Sequence, residues 1–566
     1  MTLTAGTKLG PYVIALALSV ATPAAADDLP ALARDFWAWR AVTKPMDRDD
    51  VTRVVRPRGW TPDWSRDSVE ARRKAQAAFE ARWTALADPA RPIPWQVDRR
   101  LIGSALARVR WELDFKRSFR RDPMFWVDQT VPVVADALLS PPPFGNERSE
   151  DIASRLESIP RMLDQARAAL EEAAAPFARL AIEDLAGIGP KLTASMEALS
   201  PLLDPGARSR IGPATVKAIA ALDAFRAWLE GRLASLPDRT PVGRDGYLFF
   251  LRNVALVPFT PEELLLMGRQ EYDRSVALEV VERQRNTGVP ELPMAPDQNA
   301  QSAMTRRAEA EIRRFLDERG ILSVPADLTH YVDLPVPRYL EALEGFDEWT
   351  LFANTARPGE PSIRWIPKPS PNLGYFAGSM AKDRRPHMSH EGIPGHAFQL
   401  ALASRHEDEI RRAFYDSGPI EGLGFYSEEL LLSAGLYADA PKAREMVANY
   451  MRLRALRVEV DVKLALGTFT IPQAAEYLRT SVPMDAETAR SEAASFASSP
   501  GQAITYQIGK LQVQRLLAEA KRAQGDAFRL RAFHDFVYKN GNVPISLQRW
   551  ELLGQRGDVD ALGAMR

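Results

Sequence analysis

The chain of 566 residues contains no cysteine. That excludes disulfides, thiolate metal sites, iron–sulfur ligation and a cysteine nucleophile, so any metal must be held by nitrogen and oxygen. Histidine is scarce as well, with six in the whole chain. Formal net charge is only −1, and nothing in that balance recommends nucleic acid or an anionic membrane as a partner. Internal repeats and low-complexity tracts are missing, and long apolar runs are nearly so. The one apolar stretch that stands out, Tyr12–Val20, is too short to span a bilayer. It follows a lone Lys8 and precedes Ala24-Ala25-Ala26, so residues 1–26 read as a secretory signal. Export, with the periplasm as destination and no stable membrane insertion after signal removal, is the expectation.

What remains is ordinary for a soluble globular protein, 46% hydrophobic and 26% charged. From Leu29 to about Asn286 apolar residues recur at three and four spacing, which predicts helices over Val69–Leu86, Arg99–Arg121, Ser149–Ala173, Phe177–Leu203 and Thr215–Leu236. Thr260-Pro261-Glu262-Glu263 opens another, with proline in the first turn and acids at the positive end of the dipole. The texture then changes. Segments 330–336, 362–367 and 373–377 are short, β-rich and broken by proline, and they predict a small sheet. The expected architecture is mainly α-helical and two-lobed, with a helical lobe over 27–300 and a second over 301–566 in which the sheet precedes a kinked metal-binding helix.

Three of the six histidines fall within Arg385–Gln399, in the run His387-Met388-Ser389-His390-Glu391-Gly392-Ile393-Pro394-Gly395-His396. Histidines four apart return to one face of a helix, but His390 and His396 are six apart, roughly 600° of ideal helix, and point away from each other. Pro394-Gly395 offers a remedy, since a local break there swings His396 back. His387 and His390, three apart, share a face without any break. A third ligand is expected at Glu421, twenty-five residues past His396 and just before Gly422, which lets another backbone approach closely. Glu428 lies seven residues on, near the same face, as a substitute ligand or a partner to a ligand histidine. Glu391, beside His390, is placed for general base. Tyr506 and Lys510, four apart, are donors able to stabilise an oxyanion or grip a substrate carboxylate. His330, His406 and His534 lie outside these motifs and read as surface or structural residues.

Together, His390-Glu391-Gly392-Ile393-Pro394-Gly395-His396, Glu421-Gly422-Leu423-Gly424-Phe425-Tyr426-Ser427-Glu428 and Pro500-Gly501-Gln502-Ala503-Ile504-Thr505-Tyr506 resemble the bacterial family called domain of unknown function 885, grouped with the gluzincin metallopeptidases. The resemblance extends to Gly541-Asn542-Val543-Pro544-Ile545 near the end of the chain. It implies one zinc ion on His390, His396 and Glu421, with Glu391 as base and Tyr506 as transition-state donor. It also implies a peptidase for short peptides, of carboxypeptidase or dipeptidase type. Two rival functions stand beside it: a metal-dependent hydrolase of another small amide or ester, and a catalytically silent periplasmic peptide-binding protein. The chain departs from the family pattern at Leu423, where tryptophan is usual, and at Ala397, where many members carry another histidine.

Overall fold

The computed structural model describes residues 28–47, 54–343 and 350–565; the expected signal segment, residues 1–26, lies outside them. Helices dominate from Leu29 onward and the sheet is small. Their boundaries follow from local chemistry. Ser65 caps Arg66–Ala85 by accepting from Ser68 N at 3.3 Å. Thr260 and Glu263 form a reciprocal cap, Glu263 N donating to Thr260 Oγ1 and Thr260 N to Glu263 Oε2 at 2.7 Å, and the helix runs Pro261–Arg285. The single helix expected over Phe177–Leu203 is instead two, Ala175–Leu185 and Ile188–Leu199. Gly187 between them has φ +75°, a left-handed conformation that ends a right-handed helix.

The helix Pro261–Arg285 lies along Pro441–Leu466, with Gly268 against Val458, where a Cβ on the glycine would come within 2.9 Å of the valine. One continuous cluster of buried apolar side chains includes Leu29, Val97, Leu222, Val458, Ile508 and Met565. A second, with Met388, Ile393, Phe398, Leu423, Phe425 and Val513, surrounds the histidine segment. No described helix is long and apolar enough to cross a membrane.

The sheet has three strands in the order β1 (Tyr331–Pro335), β3 (Ser362–Ile366), β2 (Thr350–Leu351). β1 pairs with β3 in parallel, Tyr331 opposite Ser362 and Pro335 opposite Ile366, while β2 pairs antiparallel with Thr350 opposite Arg364. β1 and β2 are therefore the edges. Two of the expected strands are present, but Leu373–Ala377 is not the third. Tyr375–Met380 is helical, because Gly374 starts a turn whose first amide, Tyr375 N, is taken by Asp485 Oδ2 at 2.9 Å rather than by a neighbouring strand. Behind the sheet, the buried pair Asp333 and Arg384, with Thr305, ties β1 to the chain just ahead of the histidines.

Candidate metal centre

The histidine segment is not one helix. A single turn at Arg385–His387 widens into a π-type turn over Met388–Gly392, the chain breaks, and a new helix begins at His396 and runs to Ala403. Gly395 makes the break possible. A Cβ there would sit 1.7 Å from the carbonyl oxygen of His390, so only glycine lets the backbone fold back over that residue. The expected kink is thus real, and it removes the objection raised by a six-residue spacing. The two imidazoles meet with ring centroids 4.7 Å apart at 75°.

Opposite them stands the helix Ser417–Ala434, whose start is fixed by Asp416 accepting from Gly418 N at 2.9 Å. Its Glu421 Oε2 lies 3.1 Å from His390 Nε2 and 3.3 Å from His396 Nε2. His390, Glu391 and His396 also form a group whose potential ligand atoms all lie within 4.8 Å of one another, and this group could hold a metal ion. Both histidines and Glu421 are buried, whereas Glu391 is half-exposed.

Glycines on the helix Ser417–Ala434 create the room. A Cβ on Gly424 would come within 2.9 Å of His396 Cε1 and 3.0 Å of His390 Cε1. Gly422 abuts Gly509 of the helix Ile504–Gln524, where a Cβ would approach Gly509 Cα to 2.6 Å. The close backbone approach expected at Gly422 is made by this second glycine. It draws Tyr506, in the first turn of that helix, over the site: its ring lies 5.9 Å from that of His390, nearly parallel at 17°.

Glu428 is fully buried, its Oε1 2.7 Å from His390 Nδ1 and 3.2 Å from Arg454 Nη2. A carboxylate beside Nδ1 favours a proton on that nitrogen and so leaves Nε2 as the atom for a metal, the outer support that metal-ligating histidines usually have. In the metal-free protein burial pulls the His390 pKa down, but hydrogen bonds to Glu421 and Glu428 outweigh it and raise it to about 9. Burial works to raise the Glu421 pKa, and the facing His396 and His390 overcome that and hold it well below the usual range. Burial, with Glu421 nearby, pushes the Tyr506 phenol well above 10, so it stays a proton donor.

Other candidates go elsewhere. His387 faces Tyr331, its Nε2 3.5 Å from the hydroxyl, and does not join His390 and His396. Burial, then Arg364 and Arg384, keeps it neutral. Lys510, expected as a possible substrate contact or supporting partner of a ligand, is 0% exposed, with Nζ 2.7 Å from Glu429 Oε2 and 3.1 Å from Glu271 Oε2, under the Phe425 ring. Two of its three N–H donors are spent on carboxylates in a site closed to solvent. His534 is buried between Ile321 O and Tyr426 OH, and His330 pairs with Glu309, both structural roles.

Sequence reasoning missed Arg454, Arg457 and Gly424. Arg457 donates through Nε and Nη2 to the Glu492 carboxylate and lies 4.6 Å over the Tyr506 ring. In the run Arg452-Leu453-Arg454-Ala455-Leu456-Arg457 the arginines look like an ordinary solvated face; the available signal was their position among apolar residues on a long central helix.

Fold and site together define a mainly helical protein with a small mixed sheet and a buried His–Glu–His group that could hold a metal. Residues 52–552 match the family described as "Bacterial protein of unknown function (DUF885)", and the chain belongs to that family. No curated protein matches it in sequence. Among solved structures it is similar to a "putative lipoprotein of unknown function" from Shewanella oneidensis, at 15% identity and TM-score 0.70, covering 93% of this chain and 100% of that one. It is similar also to a "putative lipoprotein" from Colwellia psychrerythraea, at 17% identity and TM-score 0.72, covering 95% and 99%. At these identities the likeness concerns the fold.

Proposed function

We propose that this protein is an exported, zinc-dependent metallopeptidase that hydrolyses short peptides. The observation that carries the reading is the convergence of His390 Nε2 and His396 Nε2 on Glu421 Oε2, at 3.1 and 3.3 Å. Donors around a tetrahedral zinc, at bonds of about 2.0–2.1 Å, are separated by roughly 3.3–3.4 Å. The residues therefore fit the ion as a two-histidine, one-glutamate set, with Glu428 supporting His390. Nitrogen and oxygen donors without sulfur suit zinc among several metals, and the gluzincin resemblance selects it. The description of both similar structures as lipoproteins supports export.

When bound, the metal supplies a Lewis acid that polarises a carbonyl and makes water a better nucleophile. Glu391, half-exposed beside the ligands, takes the proton from the attacking water and returns it to the leaving amine. Tyr506, a neutral phenol stacked over His390, donates to the oxyanion that forms on the carbonyl oxygen. Residues 27–300 and 301–566 form the two walls of the cleft in this reading, which favours short substrates over folded proteins.

The test is metal content and peptide turnover for the wild type, Glu391→Gln and Glu421→Gln. Glu391→Gln should keep its metal and lose about 10²–10⁴-fold in turnover. Glu421→Gln should lose the metal. Full activity in Glu391→Gln refutes the base assignment, and metal retained by Glu421→Gln moves the third ligand to another carboxylate. A wild type that binds peptides and acids with full zinc but cleaves none refutes the peptidase reading.

A further inference from the structure

A cavity of about 250 Å³ opens beside the helix that begins at His396. Its wall includes Leu400 and Ala403, four and seven residues after His396 and so on the same side of that helix. At 1.5 Å rise per residue they stand roughly 6 and 10 Å along the axis from the histidine. Asn354 and its neighbours form another part of the wall, and Phe352, two residues earlier, sets its ring edge-on to His396 at 6.0 Å. The cavity and the metal centre thus adjoin one helix face and one short stretch of chain. An extended peptide advances about 3.3–3.6 Å per residue, so these separations correspond to roughly two to three residues of substrate.

Its chemistry is uneven. Arg40, Arg108 and Arg412 line it, together with apolar side chains, and no aspartate or glutamate among the described residues does. Arg40 is engaged by Glu112 and Arg108 by Asp416, acids that stand behind the wall. Arg412 differs. It is half-buried, its Nη1 donates to the carbonyls of His406 and Glu407 at 2.7 and 3.4 Å, and no carboxylate lies within ion-pair distance among the described residues. Two backbone carbonyls orient the guanidinium without neutralising it.

We infer that this cavity is the subsite for the carboxyl-terminal end of the substrate, with Arg412 as the counter-ion of its free α-carboxylate and the apolar wall receiving the last side chain. The inference rests on the peptidase reading above and adds a direction to it: peptides are held by their carboxyl end, and cleavage falls close to it. A guanidinium matches a carboxylate in shape and charge, and a partly desolvated one discriminates against an uncharged amide. Peptides whose last residue is apolar and unamidated are the preferred class.

The experiment compares one short peptide, ending in leucine, as free acid and as carboxyl-terminal amide. Binding is read by fluorescence anisotropy on metal-loaded Glu391→Gln, and turnover on wild type, each repeated with Arg412→Gln and Arg412→Lys. The acid should bind about 10- to 100-fold more tightly than the amide, Arg412→Gln should bring the two level by weakening only the acid, and Arg412→Lys should restore part of the gap. The difference should appear in KM rather than kcat. Equal binding of acid and amide in the parent, or an undiminished preference in Arg412→Gln, overturns the inference. These outcomes separate the two readings. Turnover without acid preference refutes the subsite alone, while Arg412-dependent acid binding with no peptide cleaved refutes the peptidase reading alone.

Discussion

Gly424→Ala tests whether the two imidazoles are held at the separation on which the metal reading depends. A Cβ at this position would lie 2.9 Å from His396 Cε1, 3.0 Å from His390 Cε1 and 3.2 Å from His390 Nδ1, against an ordinary contact of at least 3.4 Å. Each ring would have to retreat by about 0.4–0.5 Å, beyond the roughly 0.2 Å tolerance of a metal bond. His390 has little freedom to do so, because Glu428 Oε1 is 2.7 Å from its Nδ1 and Tyr506 covers its face. Overpacking of this kind costs about 1–3 kcal/mol, offset in part by the up to about 1 kcal/mol that alanine gains over glycine within a helix. We expect metal affinity to fall by about 10- to 100-fold, the loss seen when a ligand's supporting geometry is disturbed. Competition against a chromophoric chelator measures the affinity, and thermal unfolding of the metal-free protein measures the packing cost. Gly231→Ala is the control: that glycine lies near the end of the helix Pro205–Arg232, exposed and with nothing within 4 Å of a new Cβ, so its replacement should be neutral or mildly stabilising. A Gly424→Ala protein that binds metal as tightly as wild type refutes the reasoning.

Metal affinity should also rise with pH. His390 in the metal-free protein has its pKa raised from 6.5 to about 9, so at pH 7 binding must displace its proton and affinity should climb about tenfold per unit up to pH 9. The sign for folding is opposite: a raised pKa contributes stability fully below pH 6.5 and loses it as pH rises through 9, so the metal-free protein should weaken over that window. Calorimetric titration in buffers of different ionisation enthalpy should find about one proton released per metal at pH 7; release of none contradicts the His390 assignment. Lys510→Met should destabilise the protein by about 1–3 kcal/mol in denaturant unfolding, because the buried ammonium is lost from the half-buried Glu271 and Glu429, which then keep Arg274 and, for Glu271, Gln507. Its metal affinity should not change, and a variant of normal stability with weakened substrate binding would return Lys510 to the substrate.

The local grammar of the fold was legible in the chain. Helices were readable where apolar residues recur at helical spacing and where caps such as Thr260-Pro261-Glu262-Glu263 mark the start, because these effects act within one turn. The same holds for the histidine segment, whose Pro394-Gly395 announces a break. The strand misread at Leu373–Ala377 shows the limit: its composition favours a strand, but Asp485, more than a hundred residues away, takes the Tyr375 amide and the segment coils. Lys510 shows the same limit, since helical spacing places it on the Tyr506 side of its helix but cannot reveal Glu271 and Glu429 waiting there.

By itself, then, the sequence supplied the candidate donors, His387, His390, Glu391, His396, Glu421 and Glu428, and the place where the helix must break, because those depend on residue type and on backbone freedom at Gly395. Tertiary structure alone decided which donors meet. The choice of His396 over His387, Glu428 as the support of His390, and the placing of Tyr506 over the ring all depend on one crossing, where Gly422 meets Gly509 and Gly424 leaves room for two imidazoles. Closeness between helices is set by the size of the side chains at the crossing, and no reading of one helix at a time contains it.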